Sequence, residues 1–143
     1  MASRSYRARN FERGRISGTA EAAQAIRELG ENVLRAAQTA LSDGVDKIVL
    51  DAKNRCPVSL SPYVAPGELR NSIKKERKQN GNAYAISANA QGKNGYFYGQ
   101  IVEFSPRVNK PFLYPAMMAG FQQVRAAIRS AIKQETQKAR AKK

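Results

Sequence analysis

The chain has no histidine, no tryptophan and a single cysteine, Cys56. Without histidine it lacks the commonest general base at neutral pH and the commonest metal-binding side chain. A lone thiol closes no intramolecular disulfide and builds no thiolate zinc site, and such sparing use of cysteine fits a reducing compartment. Phosphate-cradling loops of the GxxxxGK[ST] and GxGxxG types are missing, and the scattered acids form no DxD pair. No serine or cysteine has a histidine to activate it. The expectation is a protein that is not an enzyme and holds no cofactor or metal. No run of about 18 apolar residues is present, so nothing is expected to span a membrane. The first fifteen residues, MASRSYRARNFERGR, have arginines but no apolar core, unlike a secretory signal.

Carboxylates are also scarce. Eleven Asp and Glu face twenty-five Lys and Arg, giving a formal charge of +14 over 143 residues. A balance of this kind favours a polyanionic partner, whether nucleic acid, an anionic membrane or acidic protein, although a lysine-rich solvated surface gives the same numbers. Much of the excess lies at the ends. Arg4, Arg7, Arg9, Arg13 and Arg15 are opposed only by Glu12, and Lys138, Arg140, Lys142 and Lys143 follow the last acid, Glu135. Residues 1–17 and 134–143 are therefore expected to be basic extensions of one 18–133 core.

What remains reads as an α+β domain: a small antiparallel sheet packed by two long helices. Residues 11–17, FERGRIS, suggest a short strand. Thr19 suits an N-cap, Glu21 suits a first helical turn, and Gly30 reads as the stop of a short helix. A second helix follows to Arg55, with Leu34, Ala37, Leu41, Val45, Ile48 and Ala52 on one face, blemished by Ser42-Asp43-Gly44 and ended before Pro57. Residues 71–90 read as a hairpin about Asn80-Gly81, with Lys74, Lys75, Arg77 and Lys78 on its outgoing strand. YFYGQIVEF, residues 96–104, continues as a strand or a short helix. A final helix opens at Pro115, with Met117, Phe121, Val124, Ile128 and Ala131 or Ile132 as its apolar stripe and Arg125, Arg129 and Lys133 opposite.

Residues 102–117, VEFSPRVNKPFLYPAM, place three prolines and three aromatics beside one carboxylate, Glu103. Stiff, apolar sequence of this kind makes a fixed surface at low entropic cost. Glu103 is expected to pair with an arginine, within the fold or across a subunit boundary. Cys56 is expected to pack as a small apolar residue. The basic cluster of Arg70, Lys74, Lys75, Arg77 and Lys78 would suit phosphate contact without sequence reading, or simply a solvated strand face.

Four segments in order resemble the tail-completion, or head–tail joining (neck), proteins of long-tailed bacteriophages. They are Arg55-Cys56-Pro57-Val58 at a helix end, Pro66-Gly67-Glu68-Leu69-Arg70-Asn71-Ser72-Ile73, Tyr98-Gly99-Gln100-Ile101-Val102-Glu103-Phe104, and Lys110-Pro111-Phe112-Leu113-Tyr114-Pro115-Ala116. The family patterns are "tGxLRxSI", "Y…VEFG" and "PFLxPA". This chain has Ser105-Pro106 where the family has glycine after VEF, and a longer loop before Gly67. The resemblance spans roughly residues 31–135. It implies a non-catalytic virion subunit that assembles in the host cytoplasm into a ring, commonly of six, between the head connector or stopper and the tail terminator or tube, with DNA in the lumen. On that basis the candidate interface residues are Arg70, Glu103, Phe104, Pro111, Phe112 and Tyr114. The candidate contacts to DNA or acidic protein are Arg4, Arg7, Arg9, Arg13, Arg15, Lys74, Lys75, Arg77 and Lys78. The alternative expectation is a free-standing, sequence-independent nucleic-acid-binding protein.

Overall fold

The computed structural model describes residues 19–58 and 65–142. The arginines at 4, 7, 9, 13 and 15 and the strand expected at 11–17 lie outside the described residues. The architecture is α+β, with a two-stranded antiparallel sheet against long helices. Helix α1 (Thr19–Arg55) is one continuous element of 37 residues, roughly 55 Å long. The break expected at Gly30 does not occur. A glycine inside a helix costs about 1 kcal/mol relative to alanine, and it stops a helix only by turning left-handed. Gly30 is not among the glycines with positive φ, and no atom lies within 4 Å of the place a Cβ would take.

Next among the described residues come α2 (Glu68–Ser72), β1 (Ile73–Lys78), β2 (Ala83–Ala88), α3 (Tyr98–Phe104) and α4 (Leu113–Ala141). The hairpin is present as expected, in a register running from Ile73↔Ala88 to Lys78↔Ala83. Its turn is left-handed at Gln79, Asn80 and Gly81. Gln38 of α1 pins it by donating from Nε2 to the Asn80 carbonyl (3.2 Å) and to Asn82 Oδ1 (2.8 Å). Alternation puts Ile73, Lys75 and Arg77 on one face of β1. Ile73 is buried and Lys75 reaches α1, so this face lies on α1, while Lys74 and Lys78 face solvent. The segment 96–104 adds only one bridge, Gln91↔Phe97, to the extended structure before turning helical.

Helices α1 and α4 run antiparallel and approach closely through small residues. A Cβ on Gly44 would lie 2.6 Å from Val124 Cγ2, and one on Gly120 would lie 2.5 Å from Ile48 Cγ1. Each helix therefore offers a glycine hole to the other's branched knob. Gly44, which reads as a blemish in the helical pattern, and Gly120 are what allow the contact. The close approach also moves the buried stripe of α4. Ala116 and Val124 are buried, whereas Met117 and Phe121, expected in the core, are exposed. Helix α4 opens at Leu113, two residues before Pro115, and continues to Ala141, so most of the expected basic tail is helical. Buried apolar residues from α1, α2, β1 and α4 (Ile48, Ala52, Leu69, Ile73, Phe112, Ala116 and Val124 among them) form one cluster around the end of α1. No helix among the described residues is long and apolar enough to cross a membrane.

Candidate assembly site

The four segments that carry the family resemblance meet at one joint, where α1 ends and α4 begins. Phe112, at the N-cap position of α4, is 1% exposed and sits in the cluster with Leu69 and Ile73. The backbone of α4's first turn is satisfied by a single side chain. Glu103 Oε2 accepts from the N–H groups of Phe112 (2.8 Å) and Leu113 (2.9 Å), and Oε1 accepts from Tyr114 (2.7 Å). The next residue, Pro115, has no N–H. The first four donors of a helix have no partner within it; here a carboxylate takes three and proline removes the fourth. The negative charge also stands at the positive end of the helix dipole.

The neighbouring end of α1 is treated in the complementary way. Arg70 of α2 donates from Nη2 to the carbonyl of Cys56 (3.2 Å), placing a guanidinium at the negative end of α1. Glu103 and Arg70 therefore act on helix ends. The Glu103–arginine ion pair expected from the sequence is not formed among the described residues; the carboxylate is taken up by backbone donors. Helix α3 presents Glu103 by holding residues 98–104 in under two turns, closed by the Ser105 N–H to Ile101 carbonyl bond (2.9 Å). Cys56 is buried beside this joint. Burial pushes its thiol pKa up, against the lowering pull of Arg70 and with a further rise from Glu103. It packs as a small apolar residue, as expected. Burial also raises the Tyr98 phenol, with the charge of Glu68 adding to the effect.

Three of the six candidate interface residues, Arg70, Glu103 and Phe112, are thus occupied within the subunit. The other three are on the surface. Phe104 is 77% exposed, Tyr114 is 64% exposed, and Pro111 is exposed. Phe97, Phe104, Tyr114 and Met117 line one apolar groove of about 450 Å³ between β2, α3 and α4. From it a ridge continues along α4 through Met118 and Phe121, the latter 52% exposed. The ridge was not read from the sequence, because Phe121 and Met117 fit the core pattern as well. The signal that marks it is a second row at helical spacing, Tyr114, Met118 and Phe121, beside the buried one.

The basic side chains of β1 are divided between the two faces of the hairpin. Lys75 pairs with Asp46 (2.8 Å), bonds Ser42 Oγ (2.8 Å) and lies 5.2 Å from the Tyr84 ring centre. Lys78 pairs with Glu76 (3.1 Å), and Arg77 donates to the Asn80 carbonyl (3.1 Å). Lys74 stands on the opposite face of the sheet from Lys75 and Arg77. The outward cations of α4, by contrast, stay in one row: Arg125, Arg129 and Lys133 are exposed, with Arg125 5.6 Å from the Phe121 ring centre.

Compared with known proteins, the chain matches no family model, no curated protein and no solved structure.

Proposed function

We propose that this protein is a structural subunit that multiplies into a ring at the head–tail junction of a long-tailed phage particle. The observation that carries the reading is the row of large apolar side chains, Phe97, Phe104, Tyr114, Met117, Met118 and Phe121, left uncovered beside a joint where the start of α4 is capped from within the subunit. Contiguous exposed apolar surface on a rigid frame is the usual mark of a protein–protein interface. The four motif segments add support, because their internal contacts give each a mechanical role: Arg70 and Glu103 hold two helix ends, and Phe112 locks α4 to the core. Connector or stopper proteins and tail terminator or tube proteins are then the neighbours above and below, and DNA runs through the lumen.

The row of Arg125, Arg129 and Lys133 favours a second reading, a subunit that binds nucleic acid without reading sequence. Mass measurement of the purified protein with negative-stain imaging separates the two. Closed rings of identical subunits support the first. A monomer whose affinity for duplex DNA falls steeply with salt supports the second and counts against the first.

A further inference from the structure

The two long helices differ in charge. Helix α1 is nearly balanced, with six carboxylates against five cations, whereas α4 has five cations against one carboxylate. That carboxylate, Glu135, is half-buried, pairs with Lys138 and lies at the seam with α1. The remaining cations of α4, Arg125, Arg129, Lys133 and Arg140, are exposed and make no ion pair among the described residues. By helical geometry they share a sector of about 80° and span about 22 Å of the axis. Arg129, at the middle of that sector, points about 140° away from the buried Val124. Arg125 is steadied by the Phe121 ring, whose centre lies 5.6 Å from the guanidinium carbon.

We propose that this face of α4 binds the phosphates of duplex DNA and, in the ring, forms the wall of the channel. The channel placement rests on the assembly reading above; the phosphate contact does not. Charge complementarity selects the partner. Duplex DNA presents about one negative charge per 1.7 Å of its axis, so a row of cations meets anions in any register and on any sequence. An acidic protein would be gripped differently. Protein interfaces are anchored largely by aromatic side chains in addition to arginine. Helix α4 has no aromatic after Phe121, and its bulky exposed side chains Tyr114, Met118 and Phe121 lie nearer its start. Symmetry supplies the rest. A ring repeats the row around one axis, and a rod of uniform charge is a ligand that every copy meets alike.

Binding of linear duplex DNA by the full chain, followed against salt, tests the contact. Arg125→Gln, Arg129→Gln and Lys133→Gln combined should weaken binding by at least about tenfold and lower the slope of log affinity against log salt by about three. A control triple, Arg27→Gln, Lys47→Gln and Lys93→Gln, removes the same charge from exposed sites outside α4 and should leave the slope nearly as it was. Circular dichroism and native mass establish that both triples keep the wild-type fold and assembly state. Arg129→Gln alone, expected to lower the slope by about one, replaces the α4 triple if it does not. Equal losses in the two triples, an α4 triple that binds like wild type, or a wild-type protein that ignores duplex DNA at low salt each overturn the contact. Intact rings should hold linear duplex and release covalently closed circles, which cannot thread. Rings that hold both equally put the row on the outside and overturn the channel placement, with the ring reading left standing. A selective loss in the α4 triple of a protein that stays monomeric keeps the contact and defeats the ring reading together with its channel.

Discussion

Where α1 stops and α4 starts, the chain packs Phe112, Leu69, Ile73 and Cys56 together and spends two charged side chains on helix ends. Where α1 starts and α4 finishes, it does almost none of this. Every residue from 20 to 28 is exposed. The side-chain bonds there are local ones along a single helix, such as Gln24 Nε2 to Glu28 Oε1 (3.0 Å), Thr136 Oγ1 to the Ile132 carbonyl (2.9 Å) and Lys138 to Glu135 (2.8 Å). Pairs like these contribute a few tenths of a kcal/mol each. A core side chain contributes several times more. The difference teaches that the long helices are anchored at one end, and that the far end opens at lower free energy.

The largest effect that tests this contrast is Phe112→Ala. Removing a fully buried aromatic at the joint should lower unfolding free energy by about 3–5 kcal/mol, read by chemical denaturation. An unchanged midpoint would show that the joint is not the anchor. Next is Glu103→Ala, which leaves the Phe112, Leu113 and Tyr114 N–H groups to water. A loss of about 2–3 kcal/mol is expected, with faster hydrogen exchange confined to the first turn of α4. Exchange that speeds up equally along α4 would mean that Glu103 has no capping role.

The glycines sharpen the comparison further, because the same substitution should have opposite signs at the two ends. Gly120→Ala forces a methyl against Ile48 and should cost about 1–3 kcal/mol. Gly30→Ala meets open space and should stabilise by up to about 1 kcal/mol. Equal effects at both positions would erase the distinction between packed seam and free helix. The smallest effect is alkaline. Cys56 is buried and Tyr98 half-buried, and desolvation raises both pKa values in the folded chain, so the stability they contribute is present below their ordinary values of 9.0 and 10.0. It is lost as pH rises through the folded values. The melting temperature should therefore decline above about pH 9, and Cys56→Ala should flatten part of that decline.

Much of the fold was legible in the sequence. The hairpin turned at Asn80-Gly81, where both residues are left-handed, and the end of α1 came where Pro57 forbids its continuation. Gly30 looked like a stop, but it keeps helical backbone and meets nothing. Two other misreadings have a common cause: Gly44 looked like a flaw and Phe121 like core. Periodicity reports which residues share a helix face, but it does not report how near the next helix comes. Close approach through glycine and alanine excludes the larger side chains from the seam and turns them outward.

The candidate site divides along the same line. Glu103 stood out in the sequence as the lone carboxylate in an apolar, proline-rich segment, but its bonding to a helix opening nine to eleven residues later depends on how α3 folds back. The cations on β1 formed a cluster in sequence, yet a strand sends alternate side chains to opposite faces, and α1 supplied Asp46 to one of them.

By itself the sequence determined the α+β class, the excess of positive charge, the hairpin turn and the stiffness of the 102–117 segment, because these depend on local backbone preference and composition. Only the tertiary structure decided which charges are neutralised, which apolar residues stay uncovered and which glycines are needed. Those outcomes depend on the distance between elements far apart in the chain, and no local pattern encodes that distance.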